Sequence, residues 1–185
     1  MSSATGTWPV APGSLVTAYG VNLAPSTEPA ASNPLPTTLG GIRLHVRDRS
    51  HTEDTVAPLL YVSPNQINYI LMSSDPFAWV AIERVGSPYV PEGISVPITT
   101  IAAGLFSVGE GFAAASAVAI TPSGPVPVPV IACDGPVCTA VPIDVSALPV
   151  YLSLYGTGFA PLRANITETL LVPLITEQGG KEIQQ

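Results

Sequence analysis

The sequence predicts an all-β protein made of short antiparallel strands, and three observations predict it. There are 21 prolines and 16 glycines among 185 residues, and each proline inside a helix costs about 3 kcal/mol, which leaves long helices nowhere to sit. Several short runs alternate apolar and polar residues with a period of two, the pattern of a strand with one buried face. Turn-forming residues punctuate these runs at short, even spacing, as in a sandwich of two sheets.

The strands follow in chain order. The turn Ala11-Pro12-Gly13 leads into a strand over Ser14–Tyr19. Across Ile42–Arg47 the alternation is clean, with Ile42, Leu44 and Val46 on one side and Arg43, His45 and Arg47 on the other. Further strands are expected over Pro58–Val62, Gln66–Leu71, Phe77–Arg84 and Ile94–Thr100, with Ser63-Pro64-Asn65 as the turn joining two of them. The core of this unit should gather Leu15, Val16, Tyr19, Leu23, Ile42, Leu44, Val46, Leu60, Val62, Ile67, Tyr69, Val80, Ile82 and Ile98. Residues 1–103 therefore read as an immunoglobulin-like β-sandwich.

From Gly104 the texture changes. Gly111–Ala119 is small and apolar, and Ala113-Ala114-Ala115 suits either a helical turn or a buried strand; what little helix the chain has is expected there. Pro122, Pro125, Pro127 and Pro129 then alternate with Val126, Val128 and Val130. A proline cannot donate to a ladder, so this stretch is either an edge strand or an extended connector. Residues 104–161 thus form a Pro-rich connector, a cysteine hairpin and the first strand of an incomplete second β unit; residues 162–185 are a divergent tail.

The second unit is recognised by an internal repeat. Leu15-Val16-Thr17-Ala18-Tyr19-Gly20-Val21-Asn22-Leu23-Ala24-Pro25 matches Tyr151-Leu152-Ser153-Leu154-Tyr155-Gly156-Thr157-Gly158-Phe159-Ala160-Pro161, keeping the Tyr-Gly pair, the Ala-Pro ending and the apolar spacing. Such repeats mark duplicated units. The expected geometry is a strand ending in Tyr-Gly, with the glycine at positive φ and the next large apolar residue tucked beneath the turn.

At these blocks the chain resembles a known family. Pro12-Gly13-Ser14-Leu15-Val16 leading to Tyr19-Gly20, Pro34-Leu35-Pro36-Thr37-Thr38-Leu39-Gly40-Gly41, Ala57-Pro58-Leu59-Leu60-Tyr61-Val62-Ser63-Pro64-Asn65-Gln66-Ile67-Asn68, Ala102-Ala103-Gly104-Leu105-Phe106 and the second Tyr-Gly block are similar to the Solibacter uncharacterized C-terminal domain family. The resemblance implies a module at the end of secreted acidobacterial proteins, distantly similar to IPT/TIG immunoglobulin-like domains, and implies no activity. The sequence departs from that pattern after Phe159.

Composition narrows the function classes. The net charge is −7, and the six basic residues form no footprint that would release counterions from nucleic acid. An anionic membrane surface is disfavoured for the same reason. No apolar run reaches the ~18 residues of a membrane span. Met1–Val10 has neither the basic nor the apolar region of a signal peptide, so the chain is either cytoplasmic as it stands or a piece of a longer secreted or cell-surface protein.

Candidate chemistry is sparse. Cys133 and Cys138 enclose Asp134-Gly135-Pro136-Val137, the spacing of a cross-linked hairpin, and a disulfide favours an oxidising compartment. His45 and His51 are the two histidines, and no Gly-x-Ser-x-Gly elbow accompanies them. His51, Glu53 and Asp54 share a polar loop that reads as solvated rather than metal-binding. Gln66 and Asn68 share a strand face and are expected to satisfy the neighbouring turn.

A ligand surface is best sought at Phe77 and Trp79, with Trp8 and Tyr89, and at the cationic stripe Arg43, His45 and Arg47. The plainer readings are core filling for the aromatics and a solvated strand face for the cations. No catalytic residue, cofactor or metal is indicated. The leading expectation is a non-catalytic structural or adhesion module; the alternatives are a carbohydrate-binding module and a small hydrolase with an unrecognised site. Its partners would be a polysaccharide or another domain of the parent protein. The apolar stretch near the C-terminus also predicts a homodimer through Tyr151–Ile175.

Overall fold

The structure, a computed structural model, describes residues 1–48, 55–87, 93–109 and 111–159. The strands are β1 (Leu15–Tyr19), β2 (Glu28–Pro29), β3 (Ile42–Asp48), β4 (Thr55–Val56), β5 (Leu59–Val62), β6 (Gln66–Ile70), β7 (Phe77–Arg84) and β8 (Gly93–Pro97). They continue as β9 (Gly104–Leu105), β10 (Ala115–Thr121), β11 (Gly124–Val128), β12 (Ile131–Asp134), β13 (Val137–Ala140), β14 (Val150–Leu154) and β15 (Gly156–Thr157). All pairings between these strands are antiparallel, and no helix occurs among the described residues. The chain divides into two compact units.

The first unit, residues 1–106 with 156–159, is a sandwich of two four-stranded sheets in the orders β1-β6-β5-β2 and β4-β3-β7-β8. One apolar cluster draws on the inner face of each: Val16, Leu59, Val62, Ile67 and Tyr69 from the first sheet meet Ile42, Leu44, Val46, Ala78, Val80 and Val96 from the second. Each fully buried aliphatic side chain contributes roughly 1.5–3 kcal/mol. Tyr69 is buried at the centre, and its burial pushes the phenol up from its ordinary value.

The sandwich covers its edges locally, which limits strand addition from outside. Along β1, the Thr17 N–H donates to Met1 O at 2.9 Å and the Ser3 N–H to Leu15 O at 3.1 Å. Beside the end of β8, the Val10 N–H donates to Pro97 O at 3.1 Å and the Thr99 N–H to Val10 O at 2.9 Å. The chain returns at β15, which pairs with β9, and Thr157 Oγ1 accepts a 2.7 Å hydrogen bond from the Leu15 N–H.

Two expected core residues are exposed, and a third, Leu15, lies outside the apolar cluster. Leu60 is 37% exposed because the β5–β6 register shifts between Leu59 and Tyr61. That bulge changes the phase of the strand, so Leu59 and Val62 both point inward where simple alternation had chosen Leu60. Tyr19 is 63% exposed, since β1 turns Val16 and Ala18 inward. The other wall of β1 is closed instead by Thr17, whose hydroxyl hydrogen-bonds Ser3 Oγ at 2.7 Å.

The second unit, residues 107–155 among those described, is thinner. β10 lies between β11 and β14, and β12 pairs with β13 as a separate hairpin. Its buried apolar residues among those described are Ala117 and Ala119. Ala115 opens β10, so the small-residue run is strand, correcting the helix expected in Gly111–Ala119. β11 is an edge strand, and Pro125 and Pro127 are tolerated there because its outer side needs no donor. Tail residues 160–185 lie outside the described residues.

Candidate functional site

The second sheet of the sandwich turns its outer face to solvent, and strand parity decides what it displays. β3 presents Arg43, His45 and Arg47; β7 presents Phe77, Trp79, Ala81 and Glu83; β8 presents Gly93, Ser95 and Pro97. The β3–β7 register sets Arg43 opposite Glu83, His45 opposite Ala81 and Arg47 opposite Trp79. On the other side of β7, Phe77 faces Pro97 and Trp79 faces Ser95. All five residues predicted as a ligand surface (Arg43, His45, Arg47, Phe77 and Trp79) therefore share one face of one sheet.

The face has a charged end and an aromatic end. At the charged end, His45 Nε2 lies 2.8 Å from Glu83 Oε2, Arg43 reaches the same oxygen at 3.7 Å, and Arg43 Nε donates to Thr38 Oγ1 at 3.0 Å. The hydrogen bond from His45 and the positive charge of Arg43 hold the Glu83 carboxyl below its ordinary value, against a smaller opposing effect of burial. Glu83 is thus an ionised acceptor. The Asp144 carboxyl is also held below its ordinary value, by hydrogen bonds from the Ser146 hydroxyl and N–H. A general acid at neutral pH needs the opposite shift.

At the aromatic end, Phe77 is 53% and Trp79 41% exposed, so neither is core filling. A shallow cleft of about 240 Å³ opens there, lined by Arg47, Asp48, Phe77, Ala78, Trp79 and Ser95. Asp48 follows the inward parity of β3 and accepts a hydrogen bond from the Ser73 hydroxyl. Gly93 makes room for the indole: an added Cβ would lie 2.9 Å from Trp79 Nε1 and closer still to Val80 O. Sequence reasoning gave Gly93 no role, because only the β7–β8 pairing places it beside Trp79.

Trp8 is half-exposed and does not line the cleft, whereas Tyr89, His51, Glu53 and Asp54 lie outside the described residues. Gln66 and Asn68 bond each other, Gln66 Nε2 donating to Asn68 Oδ1 at 2.9 Å, instead of serving the turn. Ser63 does that work, its hydroxyl oxygen accepting from the Gln66 N–H at 3.0 Å. Cys133 and Cys138 face each other across the β12–β13 hairpin with Cα atoms 4.0 Å apart and are joined as a disulfide. No group of three His, Cys, Asp or Glu side chains able to hold a metal occurs among the described residues. Nor is any helix among them long and apolar enough to cross a membrane.

In comparisons with known proteins, no family model, curated protein or solved structure matches this chain.

Proposed function

We propose that this chain is a non-catalytic structural or adhesion module, an immunoglobulin-like sandwich belonging to a secreted or cell-surface protein. The observation that carries this reading is the cross-linked hairpin at Cys133 and Cys138, which needs an oxidising compartment to persist. The resemblance of the Tyr-Gly and Ser-Pro-Asn blocks to a family of secreted C-terminal modules supports the same compartment. Fractionation of the source cells with an antibody to the chain should find it in the envelope or culture fluid, with both cysteines oxidised. Cytosolic chain with two free thiols would sink the reading.

A carbohydrate-binding module is the second reading, favoured by the exposed pair Phe77 and Trp79 in their cleft. Aromatic rings offer flat apolar faces to the C–H faces of sugars, and shallow clefts on rigid sheets place them at little entropic cost. Binding of the purified chain to a panel of neutral and acidic polysaccharides should detect at least one ligand; a wholly negative panel would remove this reading.

The homodimer also remains a proposal. Its support is that β14 is an edge strand, with Tyr151 and Leu154 half-exposed and Tyr155 beside them. Residues 160–175 of that interface lie outside the described residues. Light scattering across a dilution series should show twice the chain mass of 19.0 kDa; a stable monomer would end the proposal.

A further inference from the structure

We infer that two copies of this chain pair edge to edge through β14, antiparallel and centred on Leu152, so that two three-stranded sheets become one; the inference rests on the homodimer reading above. The ladder fixes which groups of β14 face outward. The Tyr155 N–H donates to Ala114 O and the Ile120 N–H to Pro149 O, each at 2.9 Å, so Pro149 and Tyr155 stand in bonded pairs with β10 or its extension. Bonded and non-bonded pairs alternate along an antiparallel ladder, which turns the backbone groups of Tyr151 and Ser153 toward β10 as well. The N–H and C=O groups of Val150, Leu152 and Leu154 point the other way, to the open edge, and have no partner among the described residues.

Among the described residues, the other outer strands of the three- and four-stranded sheets carry devices that discourage such pairing. β1 is covered by Met1 and Ser3, and β8 meets Val10 at its end. β2 and β4 are two residues long. On β11 the same alternation turns the backbone groups of Val126 and Val128 to β10 and those of Pro125 and Pro127 outward, where neither has an N–H to offer. β14 has none of these devices. It is five residues long, Val-Tyr-Leu-Ser-Leu, without charge or proline.

A second copy fits that edge by symmetry. Pairing about Leu152 sets Leu152 against Leu152 of the second copy and Val150 against Leu154 of the second copy, so each outward N–H meets an outward C=O. Even-numbered residues meet even-numbered ones, and residues of one parity share one face of a sheet. The face on which Val150 and Leu152 stand beside Ala119 and Ala117 therefore continues across the junction. Two alanines give this face little depth, and the half-exposed Leu154 lies on it; Val150 of the second copy covers that leucine and removes apolar surface from water. The proline edge on β11 cannot pair in turn, so the assembly closes as a dimer and does not grow into a fibre.

The test is light scattering of the full chain across dilution, with amide exchange followed residue by residue by NMR. The amides of Val150, Leu152 and Leu154 should gain protection as concentration rises, while β10 keeps those of Tyr151 and Ser153 protected throughout. That pattern is read on the unaltered chain and needs no variant to fold. Leu152→Lys and Leu152→Glu each set like charges face to face and should each raise the dissociation constant about tenfold or more. Mixed in equal amounts, the two variants should recover a dimer containing one of each, which requires residue 152 to face itself. Continued protection at Tyr151 and Ser153 would show that both variants keep the β10–β14 pair. A dimer that neither charge weakens would overturn the edge pairing and leave a homodimer built on another surface. A mixture that stays monomeric would overturn the register about Leu152. A monomer at every concentration would overturn the pairing together with the homodimer reading; protection of Val150, Leu152 and Leu154 in that monomer would show that the edge is occupied within a single chain.

Discussion

The Tyr-Gly turn occurs twice in this chain, and the two copies agree in their local geometry while differing in what surrounds them. In the first, a Cβ at Gly20 would lie 2.7 Å from Leu23 Cδ2; in the second, a Cβ at Gly156 would lie 2.6 Å from Phe159 Cζ. Each glycine is thus roofed by the large apolar residue three positions on. The positive φ falls one step before that roof in both copies, at Asn22 (54°) and Gly158 (79°). Glycine is needed at 20 and 156 for close approach, then, and not for the left-handed backbone expected there. The surroundings diverge. The first turn docks on Ser63-Pro64-Asn65, the Gly20 N–H donating to Asn65 O at 3.2 Å and the Leu23 N–H to Pro64 O at 2.8 Å, inside a full sandwich. The strand before the second turn, β14, belongs to a three-stranded sheet with a core of two alanines, and the turn itself pairs through β15 with β9. Short-range sequence specifies the turn; long-range packing decides how much stability stands behind it.

The largest expected effect tests that difference in depth. Leu59→Ala empties a fully buried site between two sheets and should destabilise the first unit by roughly 2–5 kcal/mol. Its neighbour Leu60, on the outer side of the bulge, should tolerate alanine at a cost below about 1 kcal/mol. In the second unit, Leu152→Ala on partly buried β14 should also cost no more than about 1 kcal/mol. Chemical denaturation followed by tryptophan fluorescence measures the first unit, which holds both Trp8 and Trp79, and hydrogen exchange follows the second. Comparable losses at Leu59 and Leu152 would mean that the second unit is as well cored as the first.

A smaller effect separates the two turns. At Gly156 an added methyl would also meet the backbone oxygen of Gly104, which cannot move without disturbing the β9–β15 pair, so Gly156→Ala should cost roughly 1–3 kcal/mol. At Gly20 the obstruction is the tip of the Leu23 side chain, which can rotate away. The loss of unfolded-chain freedom offsets part of that, leaving Gly20→Ala within about 1 kcal/mol of neutral. Thermal melts of the two variants check the order, and a costlier Gly20→Ala would break it.

Where periodicity was regular, the sequence was legible. The span of β7 was read to the residue, and β1, β3 and β6 nearly so, because alternating side chains and flanking turns both mark them. The Arg43, His45 and Arg47 stripe and the Phe77 and Trp79 pair were each visible on their own strand. Their placement side by side depends on the β3–β7 register, a long-range fact that no local pattern carries. Leu60 was misplaced for a related reason, since a bulge changes the phase of a strand without changing its composition. Leu39 and Val10 were missed because they enter the core from segments outside the alternating runs, whereas Leu71 closes the run over Gln66–Leu71 in phase with Ile67 and Tyr69 and was passed over.

The effect with the least reach concerns the hairpin at Cys133 and Cys138. Among the described residues β12 and β13 pair only with each other, and most of their residues are exposed. A two-stranded hairpin with little apolar burial is marginal in water, so the covalent link is what keeps it paired. In the chain-entropy account, closing so short a loop stabilises by roughly 2 kcal/mol, and that stabilisation is local because the hairpin shares no strand with either sheet of the sandwich. Reduction, or a paired Cys133→Ser and Cys138→Ser variant, should therefore speed amide exchange over residues 131–140. The tryptophan-detected unfolding of the first unit should stay unchanged, since Trp8 and Trp79 report on a core that contains neither cysteine. A drop in that midpoint on reduction would show that the hairpin supports the sandwich, and that the two units unfold as one.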